Sequence, residues 1–230
     1  VFGSGVASCL LHEGIFQYMT QNARVLSRTY NWSGFLLSYD EMRQVHNDAQ
    51  ETESFTTAGQ LLAWHMRNAT STVRKESPKA KLYVWDDMFN PYHNAGSHGT
   101  ASDGYFLVNG SLEGSWLGLD PSTVSVLNWG PCNDSSPTAP GVPPCRYRQG
   151  LDFFAQRGLS QVIGGYYDYG NGTAAAEREF HFARGIPHIE GYSYTTWGSN
   201  NPDNQPDYDQ MCAYAESLRH LHAQDVIRQV

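Results

Sequence analysis

Asp40 and Glu41 stand side by side at the end of the apolar run FLLSYDEM, residues 35–42. Two adjacent carboxylates are a poor stability device, because like charges repel and each resists burial. The same repulsion suits them to chemistry, since it favours a protonated carboxyl that serves as a general acid. A structural alternative is a helix N-terminus, with Asp40 as the N-cap and Glu41 favoured by the helix dipole. Arg43 follows the pair and would neutralise it or form a surface ion pair.

The same layout recurs along the chain. Apolar runs at 35–41, 81–88, 123–129, 161–168 and 188–197 each end in polar and aromatic residues. They close respectively on Asp40-Glu41, on Trp85-Asp86-Asp87, on Asn128-Trp129, on Tyr166-Tyr167-Asp168, and on Tyr192, Tyr194 and Trp197. Helical stretches are expected around 58–75, 150–157, 173–184 and 208–222, with one more at 12–30 ahead of the first run. Apolar runs alternating with amphipathic helices predict βα units and a parallel sheet. Right-handed crossovers then place all strand C-termini on one face, the active-site face of barrel enzymes.

On that face, Trp85, Trp129 and Trp197 are candidate platforms for stacking on sugar rings, or else side chains that fill a barrel mouth. Strand alternation sends one of Asp86 and Asp87 toward the barrel axis and the other toward the helix layer. One is a candidate ligand for sugar hydroxyls, the other a cap or ion-pair partner. A hydroxyl of the Tyr166, Tyr167 and Asp168 cluster would donate to a developing charge. His93-Asn94 lies in a Pro/Tyr-containing loop, where it would contact a sugar or stabilise a turn. His93 and His98 have no matching set of partners for a metal, so no metal and no cofactor are expected.

A closed (β/α)8 barrel has eight strands, and the runs here number five. The expectation is an α/β fold of the (β/α)8 TIM-barrel type, with residues 1–230 a single domain supplying roughly units 4–8. The first three units would be cleaved, or supplied by another chain or fragment; a free-standing open sheet is the alternative.

The net charge of −8 and the lack of a basic cluster exclude a nucleic-acid binder. No apolar run reaches membrane-spanning length, so a soluble protein is expected. Neither a glycine-rich phosphate loop nor a Gly-x-Ser-x-Gly elbow occurs in the right context, which disfavours nucleotide binding and esterase chemistry. No signal peptide is evident, as for a mature product or fragment. Sequons at Asn31, Asn68, Asn109, Asn133 and Asn171 point to a secreted, glycosylated protein. Cys132 and Cys145 flank a Pro/Ser/Gly-rich loop, and a disulfide closing it would contribute roughly 3 kcal/mol. Cys9 and Cys212 would pair or stay free.

The runs SYDEMR, VWDDMFNPYHNA, YFLVNGSLEGSW, LDFFAQRG and QVIGGYYD together resemble a family of uncharacterised TIM-barrel proteins related to glycoside hydrolases. The likeness spans nearly all of residues 8–200. The acidic pair after the first run is similar to the Asp-Glu pair after the fourth strand of family 20 hexosaminidases. In that family Glu is the general acid, and Asp orients the substrate acetamido group that acts as nucleophile. The resemblance therefore implies that Glu41 is the acid and Asp40 its polarising partner. Ser38-Tyr39 stands where that family has a glycine pair. The reading that results is a secreted glycosidase-like protein acting on a carbohydrate. The alternative is a non-catalytic extracellular glycoprotein that binds glycans or assembles with itself on the same scaffold.

Overall fold

A computed structural model describes residues 9–30, 32–42, 44–96, 107–129, 147–166, 172–195 and 205–228. Five strands form one sheet in the order β1-β3-β5-β6-β7, with ranges Gly34–Leu36, Lys81–Trp85, Val124–Asn128, Ser160–Tyr166 and Ile189–Thr195. β1 pairs with β3 in parallel, and β6 pairs with β7 in parallel. Each strand thus neighbours the next one of its kind along the chain, as consecutive βα units do. The fold is α/β, with a parallel five-stranded sheet and flanking helices. A second, two-stranded parallel ladder, β2 (Gln44–Val45) with β4 (Leu107–Val108), was not foreseen.

Contacts divide the chain into two units, Val1–Val126 with Arg157–Leu159, and Leu127–Gln156 with Ser160–Val230. In the first, helix α1 (Glu13–Thr29) packs on α3 (Ala58–Glu76), and the short α2 (Ala49–Ser54) precedes α3. His12 caps α1 by accepting from the Gly14 amide, with Glu13 in the first turn and Arg28 in the last, as the helix dipole favours. Thr57 caps α3 by accepting from the Gln60 amide. One face of α3 is a buried stripe, Leu61, Leu62, His65, Met66, Ala69 and Val73, the three-to-four spacing of a core-facing helix. Its first turn lies so close to the chain at Leu112–Glu113 that a Cβ on Gly59 would sit 2.1 Å from the Glu113 carbonyl oxygen. Only glycine fits there. Leu82 and Val84 of β3 and Val124 and Val126 of β5 are fully buried, as the strands of a covered parallel sheet must be.

In the second unit, α4 (Tyr147–Ala155), α5 (Gly172–Ala183) and α6 (Gln205–Arg228) accompany β6 and β7. Tyr147, Leu151, Ala155, Ile163, Ala183 and Ile186 form one apolar cluster, and Ala175, Ala176, Tyr214 and Leu218 another. The Arg148 guanidinium ties α4 to the end of α5 by donating to the Phe182 and Arg184 carbonyls, each at 2.8 Å. Among the described residues no helix is long and apolar enough to cross a membrane.

Candidate functional site

The first apolar run is a strand only as far as Leu36. Pairing continues briefly beyond it: the Leu37 amide donates to the Tyr83 carbonyl at 2.8 Å, and the Trp85 amide to Ser38 at 2.9 Å. The backbone then turns through the left-handed region at Ser38, Tyr39 and Glu41, with φ of 68°, 67° and 42°. This conformation costs an L-residue about 1 kcal/mol or more and extends no strand. Asp40 and Glu41 therefore sit in a tight loop just past the strand end. The helix-cap alternative is corrected here: the next helix is α2, and Asp48 caps it by accepting from the Gln50 amide at 2.8 Å.

Five further residues meet this loop or lie beside it. Asp86 and Asp87, directly after β3, are both buried, at 1 % and 0 % exposure. The Asp87 Oδ2 accepts from the Glu41 amide at 2.8 Å and from the Asn94 side chain at 2.9 Å. The Asp86 Oδ2 accepts from the Asn90 side chain at 2.7 Å and lies 4.0 Å from His93 Nδ1. His93 and Asn94 are thus brought to the two aspartates, as their common loop suggested. Asp87 faces no solvent and binds the main chain of the acidic loop. Asp40 and Glu41 are half-buried, and the Ser38 hydroxyl donates to Asp40 Oδ1. The arrangement holds one half-buried carboxyl-bearing loop by a second, buried carboxyl.

Behind the loop, the Tyr39 hydroxyl meets His65 Nδ1 at 2.7 Å. Both side chains are buried. Burial lowers the His65 imidazole to about 4, which makes the ring neutral at ordinary pH, and raises the Tyr39 phenol. His65 Nε2 has no hydrogen-bond partner among the described residues. The Tyr39 ring also packs on Phe89, and His65 packs on Phe16 of α1. Sequence reasoning passed over both. The available signal was a histidine on the apolar stripe of α3, a position that more often signifies a satisfied core side chain.

The aromatic candidates divide. Trp85 is buried at 5 % exposure, so neither of its faces is open as a stacking platform, and it takes the alternative place of a filling side chain. Trp129, half-buried, belongs to the second unit. Tyr192 and Tyr194 were placed on the strand-end rim, but both rings turn onto the helix layer. Tyr192 packs 5.5 Å from His222, and Tyr194 lies 5.0 Å from Tyr214, both partners on α6. They share a face because side chains two apart on a strand point the same way. The Tyr166 side chain, Tyr167, Asp168 and Trp197 lie outside the described residues, as do Arg43 and His98.

Of the sequons, Asn109 is exposed just after β4, and Asn68 is half-buried on α3, its side chain donating to the Trp64 carbonyl at 2.8 Å. Asn31, Asn133 and Asn171 lie outside the described residues, as do Cys132 and Cys145 with their expected disulfide. Cys9 and Cys212 are free thiols. Among the described residues no three His, Cys, Asp or Glu side chains converge as a metal site.

The second unit holds one more titratable group that the sequence did not single out. Glu179 of α5 is fully buried, and its Oε2 accepts from the Tyr214 hydroxyl. Its Oε1 has no partner among the described residues. Burial pushes this carboxyl up to about 7, and in turn Glu179 adds to the burial that raises Tyr192 to about 12. No model of a known protein family matches this chain, and no curated protein is similar to it in sequence.

Proposed function

We propose that this chain is the strand-end half, units 4–8, of a secreted (β/α)8-barrel protein of the glycoside hydrolase type. It acts on a carbohydrate, with Glu41 as general acid and Asp40 as polarising partner. The observation that carries this reading is how Glu41 is held. Its amide is fixed by the buried Asp87, its backbone is left-handed, and its half-buried side chain follows a parallel strand. A general acid needs such a fixed position, since proton transfer requires the donor within hydrogen-bond reach of the leaving oxygen. His93 and Asn94, drawn to the aspartates after β3, supply polar groups beside it. The exposed sequon Asn109 agrees with a glycosylated extracellular protein.

Glu41→Gln is expected to lower turnover of para-nitrophenyl N-acetyl-glucosaminide by about 100-fold or more, with binding of N-acetylglucosamine within about twofold. Unchanged turnover would remove Glu41 from the role.

One observation favours the second reading, a non-catalytic scaffold that binds glycans or partner chains. β1 lies at the sheet edge, and Tyr30, Trp32 and Leu36 around it are exposed by 54 %, 56 % and 52 %. An edge strand offers unpaired backbone groups to another strand. That strand would come from further βα units or from another chain completing the barrel. Wild-type protein that binds N-acetylglucosamine oligomers without turning over the nitrophenyl substrate would decide for the scaffold.

A further inference from the structure

The loop that carries Asp40 and Glu41 is strained, and the strain must be opposed by something. Three non-glycine residues with positive φ fall within four positions. Each is disfavoured for an L-residue, so the loop holds its form only if neighbouring contacts over-determine it. On the Glu41 side the contact is the Asp87 carboxylate. On the other side of Asp40 the Tyr39 side chain is driven into the core, and what it reaches there is His65.

The His65 ring is an unusual anchor. A neutral imidazole carries one proton for two nitrogens. With the proton on Nδ1, the ring donates to the Tyr39 oxygen and leaves the Nε2 lone pair buried and unmatched. With the proton on Nε2, Tyr39 donates to Nδ1 and leaves a buried N–H unmatched. Either way one polar atom has no partner among the described residues, a burial that a purely apolar side chain would avoid. A leucine or methionine would fill this stripe of α3 without that cost. The position is used for the contact that it makes with Tyr39.

We infer that Tyr39 and His65 are a positioning pair that locks the left-handed loop and so aims the Glu41 carboxyl, a role that rests on the reading of Glu41 as the acid. Tyr39 is the inner peg and His65 its socket, with Asp87 clamping the far side. The pair touches no substrate. Its effect reaches the reacting atoms through one residue of backbone on either side of Asp40.

The test compares Tyr39→Phe, which deletes a single oxygen, with His65→Leu, the double variant, and His65→Asn. Asparagine sets a polar side-chain atom near the place of Nδ1. Hydrogen exchange at the Glu41 amide is expected to quicken about tenfold in Tyr39→Phe and in His65→Leu, the factor that follows from losing one buried hydrogen bond. The double variant should be no faster than the singles, and His65→Asn should recover most of the protection. On para-nitrophenyl N-acetyl-glucosaminide, kcat should fall about tenfold with KM unchanged within about twofold. Unchanged exchange in both single variants, or additive effects in the double, would overturn the pair. The exchange needs no substrate, so the pair stands or falls separately from the enzyme reading, which Glu41→Gln tests.

Discussion

The amide of Glu41 donates to the Asp87 carboxylate at 2.8 Å, across 46 residues of sequence. A fully buried carboxylate that accepts from the main chain here and from the Asn94 side chain fixes both donors in place. In this way the segment after β3 decides where the segment after β1 presents its acids.

Removing that carboxylate strands two donors. Asp87→Ala is expected to destabilise the protein by roughly 1–3 kcal/mol, the cost of leaving half-buried N–H groups without an acceptor. Both donors share one Asp87 oxygen, so Asp87→Asn, which keeps an acceptor oxygen, should cost less. Urea unfolding of the two variants checks the order, and equal stability of Asp87→Ala and wild type would refute the clamp.

Glu179 should make the protein lose stability as pH rises from 4.5 to about 7. Its folded value of about 7 lies above the ordinary 4.5, so the folded state binds the extra proton between the two. The stability it contributes is complete below pH 4.5 and is lost as pH rises through about 7, a loss on the order of 3 kcal/mol. Glu179→Gln cannot ionise and should lack this decline. Denaturant midpoints across that range would show the wild type and the variant diverging toward high pH.

His65 has the opposite sign. Burial lowers it from 6.5 to about 4, so the unfolded chain binds the proton first. Its contribution is complete above pH 6.5 and falls away as pH drops toward 4, again on the order of 3 kcal/mol. His65→Asn should therefore resist acid better than wild type, while Glu179→Gln should resist the rise from pH 4.5 to about 7 better. Parallel slopes for the two variants would contradict the assignment.

Gly165 lies under the buried acid. A Cβ at this position would approach Glu179 Oε2 and the Tyr214 ring to 2.8 Å each. Gly165→Ala is expected to destabilise by about 1–3 kcal/mol, the usual range for overpacking a filled core. Thermal unfolding measures it, and a variant as stable as wild type would mean that α5 and α6 yield easily at this point.

What the chain by itself determined is its local periodicity. The runs at 81–88, 123–129, 161–168 and 188–197 coincide with β3, β5, β6 and β7, and the stretch at 58–75 with α3, because apolar spacing is a property of neighbours in sequence. The acidic pair was legible for the same reason, as charge placed immediately after an apolar run. The tertiary structure alone decided how these parts meet. It shortened the first strand to Gly34–Leu36, since left-handed backbone at Ser38 and Tyr39 leaves no mark in hydropathy. It buried Asp87 under Glu41 and joined Tyr39 to His65 across 26 residues. It also turned Tyr192 and Tyr194 from the expected rim onto α6. Period two assigns two residues to a common face, and only the packing of the layers determines which face that is.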